Sequence, residues 1–88
     1  MMVTNLDQLQ GAWAITTTAI AAYQDLRVVI SGTTTTWGDP QYAAETLDCS
    51  RGDMGIVLNT HTLVAVDGSR ARWRDTATGA VVVWTRAN

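Results

Sequence analysis

Alternation of apolar and polar residues is the main pattern in this chain, and it predicts β-strands rather than helices. Between residues 9 and 19 the large apolar side chains fall at odd positions, which predicts a half-buried first strand. Every other residue is apolar over residues 26–31, which predicts a second strand. Gly32 then allows a turn into a third run, residues 33–37, which is rich in β-branched threonine.

The segment between Asp39 and Ser50 fits two structures. Asp39 followed by Pro40 is a typical helix start, and a short helix near residues 40–47 would follow from it. A helix of about ten residues is marginal without tertiary packing, so a strand over residues 41–49 is favoured. The helix stays open as the alternative.

Two hairpins are predicted in the last third of the chain. Asp67-Gly68 lies between two alternating runs, which is the signature of a type I′ turn. Such a turn would set three cross-strand pairs: Val66 with Ser69, Val64 with Ala71, and Thr62 with Trp73. A second hairpin, turning at Ala77-Thr78, would set two more: Trp73 with Val82, and Ala71 with Trp84. Both hairpins turn the same side of the shared strand inward, and the predicted core face comprises Val64, Val66, Ala71, Trp73, Val82 and Trp84.

The opposite side of these strands mixes arginine with apolar side chains. A face exposed only to water would not need the valines and the leucine, so we expect a protein partner or a second copy of the chain to cover it. The predicted partner-binding residues are Arg70, Arg72, Arg74, His61, Leu63, Val81 and Val83. Two alternatives stay open. One is a solvated face, and the other is weak nucleic-acid binding by the stripe of Arg70, Arg72 and Arg74.

Composition limits the classes of protein that the chain fits. Its 88 residues, 47% of them hydrophobic, suit one domain spanning residues 1–88. The net charge of −2 gives no general attraction to nucleic acid or to an anionic membrane. Cys49 is the single cysteine, which excludes an intramolecular disulfide. Because neither a signal-peptide pattern nor an apolar run of ~20 residues is present, we expect no membrane association and a cytoplasmic location in a cell or an infected host.

Catalytic and metal-binding constellations are not recognisable. A nucleophilic triad needs a base beside the nucleophile, and the only histidine, His61, is predicted on the outer face without a partner. Asp48 and Asp53 flank a turn, but their spacing matches no calcium loop, and turn formation explains both. We therefore expect a protein that is not an enzyme and that uses no metal and no cofactor.

Residues 9–13, Leu-Gln-Gly-Ala-Trp, resemble the opening of a bacterial lipocalin-like family of small β-barrel domains. The apolar strand ending at Gly32, the pair Leu47-Asp48 and the strand that leads into Gly68 are also similar to that family. The resemblance implies an all-β fold, a small antiparallel up-and-down β-barrel or a strongly coiled sheet. It also implies that a basic residue near the last strand, here Arg86, packs across the ring of Trp13.

The expected function is binding without catalysis, through the outer face of the last strands. An inhibitor or a phage-encoded accessory protein that occupies its partner would act in this way. The alternative is a carrier of a small apolar ligand, with a lumen lined by Trp13, Trp73, Trp84 and Arg86. Full lipocalin barrels are much longer, whereas about seven or eight short strands close a barrel filled by side chains. A roomy pocket would then require two chains.

Overall fold

The computed structural model describes residues 4–87, which fold almost entirely into antiparallel β-structure. The strands are β1 (Gly11–Thr17), β2 (Arg27–Ser31), β3 (Thr34–Trp37), β4 (Glu45–Thr46), β5 (Val57–Leu58), β6 (His61–Val66), β7 (Arg70–Asp75) and β8 (Val81–Arg86). A short helix, α1 (Asn5–Leu9), precedes β1, and a 3-10 turn (Ala21–Tyr23) lies between β1 and β2. The prediction of an all-β fold is confirmed.

The strands form one sheet in the order β4-β3-β2-β1-β8-β7-β6-β5. Because β1 pairs with both β2 and β8, this chain of hairpins curls into a nearly closed barrel. The two ends of the sheet meet at Asp48 and Val57, whose backbones exchange two N–H···O hydrogen bonds of 2.8 Å. The predicted up-and-down β-barrel is therefore confirmed.

The α-helix of the described residues lies near the start of the chain rather than near residues 40–47. Thr4 caps it in a reciprocal arrangement: the Thr4 side chain accepts a hydrogen bond from the Asp7 backbone, and the Asp7 carboxylate accepts one from the Thr4 backbone. Asp39 closes a turn at the position where the alternative helix near residues 40–47 would begin. The strand favoured over residues 41–49 is limited to the two residues of β4.

The predicted register between β7 and β8 is confirmed. Trp73 lies opposite Val82, and Ala71 lies opposite Trp84. Ala71, Trp73 and Trp84 are buried in the core, and Val82 packs against it. The inward side of these two strands is therefore the side that the sequence predicts.

The turn between β6 and β7 differs from the prediction. The Asp67 carboxylate accepts a hydrogen bond from the backbone of Ser69, so Gly68 and Ser69 are the central residues instead of Asp67 and Gly68. Gly68 does not have the left-handed φ that a type I′ turn requires. As a result, Val66 faces Ala71 rather than Ser69.

A β-bulge around Val64 changes which side chains of β6 face the core. Beyond the bulge, Leu63 rather than Thr62 lies opposite Trp73, and Leu63 is fully buried. The prediction that Leu63 belongs to an outer partner-binding face is therefore wrong. The same shift turns His61 away from that face, and Val64, predicted to be in the core, is only half-buried.

The end of the barrel near α1 is filled with side chains. Trp13 is fully buried there, and its indole Nε1 donates a hydrogen bond of 2.8 Å to the Leu9 carbonyl. The Cζ atom of Arg86 lies 3.7 Å from the centroid of the Trp13 ring. Arg86 also donates hydrogen bonds to the carbonyls of Gln8 and Gln10. The packing of Arg86 on Trp13 that the family resemblance implies is present.

Candidate functional site

A cavity of about 430 Å³ occupies the end of the barrel opposite α1. Its wall comes from the ends of β1 and of β3 to β8 that lie far from α1, and from the loops that join the strands there. Ile20, with 52% of its surface exposed, and the exposed Gln41 and Ala43 belong to its rim, so the cavity reaches solvent. The expectation that a roomy pocket requires two chains is wrong at this end.

We call this cavity the aromatic cup, because five aromatic side chains line it: Trp37, Trp73, Trp84, Tyr23 and Tyr42. The ring centroid of Trp84 lies 4.8 Å from that of Trp73 and 6.3 Å from that of Trp37. Trp73 and Trp84 expose only 1% and 2% of their surface and form the floor. Trp37, Tyr23 and Tyr42 are half-buried and form the wall. Tyr23 and Tyr42 pack edge to face, with centroids 5.5 Å apart.

The predicted lumen residues divide between the two ends of the barrel. Trp73 and Trp84 line the aromatic cup, as the carrier hypothesis requires. Trp13 lies beneath them, with its ring centroid 6.4 Å from that of Trp84, and does not line the cavity. Arg86 lies on Trp13 at the closed end and is also outside the aromatic cup.

Sequence reasoning missed the aromatic residues of the wall. Trp37 had a usable signal, because a two-residue turn at Gly32-Thr33 pairs it with the inward-facing Val28. Tyr23 and Tyr42 had none, since both lie in connections where strand alternation does not apply.

Acidic side chains are the charged groups of the cavity lining. Glu45 on β4 is half-buried, and among residues 4–87 its carboxylate has no hydrogen-bond or ion-pair partner. Asp75 on β7 accepts hydrogen bonds from the backbone N–H groups of Ala77 and Thr78, which lower the pKa of its carboxyl group. Its carboxylate is therefore ionised at neutral pH.

His61 lies in this lining rather than on the outer face where it was predicted. Its Nε2 atom is 3.9 Å from a carboxylate oxygen of Asp75, the residue opposite it on β7. The lining contains no arginine, and the chain has no lysine. The electrostatic potential of the aromatic cup is consequently negative when His61 is neutral.

The outer face keeps part of its predicted composition, and we call its remaining residues the outer arginine face: Arg70, Arg72, Arg74, Val81 and Val83. Arg70 and Arg72 are exposed, and Val81 exposes 45% of its surface. Arg74 is committed to an ion pair, with its Nη2 atom 2.9 Å from a carboxylate oxygen of Asp53. Of the three arginines that a nucleic acid would contact, Arg74 is therefore already paired with a carboxylate.

The remaining chemistry-bearing residues form no cluster in the part of the chain that the structure describes. No group of three or more His, Cys, Asp and Glu residues there is placed to hold a metal ion. The Asp48 carboxylate is occupied by Ser50 and Arg51, and Cys49 is an exposed free thiol. No helix within residues 4–87 has the length and apolar character needed to cross a membrane.

No protein-family model, curated protein or solved structure matches this chain. The fold and the site define an antiparallel β-barrel of eight strands with one filled end and one aromatic, acidic end. Membership of the lipocalin-like family stays a prediction that rests on the short motifs of the sequence.

Proposed function

We propose that this protein is a binding module that holds one small, largely apolar ligand in the aromatic cup. The observation that carries this proposal is the placement of three of the four tryptophans around one cavity that reaches solvent. The cavity volume of about 430 Å³ lies within the range of about 300–1,000 Å³ found for small-molecule sites. Such sites combine an apolar, aromatic lining with a few polar groups, and the aromatic cup has this composition.

The closed end of the barrel supports this assignment by making the cup rigid. Arg86, Trp13 and Leu9 fill the α1 end, so the floor formed by Trp73 and Trp84 rests on packed side chains. A preorganised apolar surface loses little conformational entropy when a ligand binds, and this favours affinity.

Titration with N-phenyl-1-naphthylamine, a neutral fluorescent probe, tests the proposal. We expect saturable binding at one site, with energy transfer from tryptophan to the probe. Val82→Trp fills the cup from its wall and should abolish binding, whereas Val83→Trp adds the same group on the outside of the same strand and should not. Ala43→Trp at the rim and Ala44→Trp beside it form a second matched pair. Circular dichroism establishes that each variant is folded.

Two results would overturn the proposal. One is the absence of saturable binding to the folded wild-type chain up to the solubility limit of the probe. The other is equal binding by the folded variants of each matched pair, because the probe would then bind outside the aromatic cup.

A second candidate is protein binding through the outer arginine face, as an inhibitor or accessory protein of a cytoplasmic partner. It is supported by the exposed Val81 and by Arg72, whose guanidinium group has no partner among residues 4–87. Apolar groups beside arginine are typical of protein interfaces. If the partner is a second copy of the chain, the binding can be measured with purified protein as self-association. Arg72→Glu should abolish a concentration-dependent dimer in sedimentation velocity, while Arg51→Glu should not. A wild-type chain that is monomeric at all concentrations removes the homodimer.

A further inference from the structure

We infer that the aromatic cup selects ligands whose apolar body ends in a cationic amine, and that Glu45 is the carboxylate that pairs with this amine. This inference rests on the proposed function, because it names the class of ligand that the same site would take. It follows from the charges and the rings of the lining, considered together.

The charges of the lining favour a cation over an anion. Glu45 and Asp75 both line the cavity, and no arginine or lysine opposes them there. The Asp75 carboxylate already accepts two backbone hydrogen bonds and lies near His61. Glu45 is half-buried and unpartnered among the described residues, so it is the carboxylate available to a ligand. Partial burial strengthens the attraction of such a charge for an opposite charge.

The aromatic rings favour the same ligand class. A cation is attracted to the face of an aromatic ring by the ring quadrupole, most strongly for tryptophan, and clustered rings form the sites that recognise substituted ammonium groups. Trp37, Tyr23 and Tyr42 form the half-buried wall on the side from which a ligand enters. The same rings pack against the apolar body of the ligand. An anionic ligand of equal shape would meet two carboxylates, and the lining formed by the described residues holds no arginine or lysine to offset them.

Three ligands that share one body and differ in charge test this inference: 4-phenylbutylamine, 4-phenylbutan-1-ol and 4-phenylbutyrate. Each competes with N-phenyl-1-naphthylamine for the wild-type chain at pH 7. We expect the amine to bind about tenfold more tightly than the alcohol, and the carboxylate to bind more weakly than both. The advantage of the amine should shrink as salt is added, since salt screens the partly exposed charges.

Glu45→Gln removes the charge and keeps the shape of the side chain. We expect it to cancel most of the advantage of the amine over the alcohol and to leave the affinity for the alcohol unchanged. Asp53→Asn is the matched control, because it removes one carboxylate outside the cavity and should keep the advantage of the amine. The wild-type ligand series tests the charge preference even if Glu45→Gln does not fold.

The outcomes separate this inference from the proposed function. If neither the probe nor the alcohol binds, the proposed function fails and the inference fails with it. If the alcohol binds and the amine binds no better, or the carboxylate binds best, only the amine preference is overturned. If folded Glu45→Gln weakens all three ligands equally, Glu45 is not the partner of the amine.

Discussion

At the scale of single residues, Arg86 connects three parts of the barrel. Its Nε atom donates a hydrogen bond to the Gly68 carbonyl at the β6–β7 turn, and its Nη atoms donate to the carbonyls of Gln8, within α1, and Gln10, which caps its C-terminal end. The guanidinium group also stacks on Trp13. Its planar group of donors is suited to this combination, whereas the single ammonium of lysine is not.

Arg86→Met keeps much of the apolar stem and removes every donor, leaving partly buried carbonyls unpaired. We expect it to lower the free energy of unfolding by about 2–3 kcal/mol. Arg86→Lys should recover only part of this loss, and Arg72→Met, at an exposed position on the same sheet, should change it little. Urea denaturation provides the measurement. Equal midpoints for Arg86→Met and Arg72→Met would show that Arg86 does not stabilise the closed end.

Asp48 gives the stability of the chain a specific dependence on pH. The Ser50 side chain and backbone, followed by Arg51, lower the pKa of Asp48 to about 2. This folded-state pKa is below the unfolded value of about 3.9, so the ionised carboxylate stabilises the fold above about pH 4. That contribution is lost as the pH falls through about 2. Asp48→Asn should therefore unfold at a lower urea concentration than wild type at pH 7, and the two midpoints should converge near pH 2. A difference that stays constant over this range would contradict the assignment.

At the scale of elements, the β6–β7 hairpin determines which residues belong to the core and which to the surface. The bulge in β6 places Leu63 opposite Trp73 inside the barrel, while Val81 of β8 stays on the outside. Regular alternation would place both residues on one outer face. Their different burial is therefore the direct consequence of the bulge.

Leu63→Ala should lower the free energy of unfolding by about 3 kcal/mol, because it opens a cavity next to Trp73. Val81→Ala should lower it by less than about 0.5 kcal/mol, since the side chain is substantially exposed. Thermal and urea unfolding of both variants compare the two positions. Similar losses would show that Leu63 is no more buried than Val81, and would contradict the assignment of the β6 bulge.

Alternation predicted the strands and the β7–β8 register because the side chains of a strand point to opposite faces in turn. It could not predict the β6 bulge, since an inserted residue leaves no mark in the apolar pattern. It also could not decide between a helix and a strand after Asp39. There the Asp39 carboxylate accepts a hydrogen bond from the Gln41 backbone N–H and stabilises a turn. The sequence predicted only part of the aromatic cup. The β7–β8 register places Trp73 and Trp84 inside the barrel, whereas the positions of Tyr23 and Tyr42 depend on how the connections fold over the open end.

At the scale of the whole molecule, the two ends of the barrel have different compositions. The α1 end is filled by Leu9 and Trp13 and covered by Arg86. No comparable apolar plug fills the opposite end among the described residues. Aromatic side chains from the strands and connections, and acidic side chains from the strand ends, line that end instead. A small barrel can therefore supply both a packed core and a binding cavity, because four tryptophans provide a large apolar volume in few residues.

The indole N–H signals of the tryptophans in a two-dimensional nitrogen–proton NMR spectrum test the central claim most directly. On titration with 4-phenylbutan-1-ol, we expect the signals of Trp37, Trp73 and Trp84 to shift together and to saturate. The Trp13 signal should stay in place, because its indole Nε1 donates a hydrogen bond to the Leu9 carbonyl at the closed end. Shifts of equal size at Trp13, or shifts confined to the backbone of the outer arginine face, would contradict a ligand site in the aromatic cup.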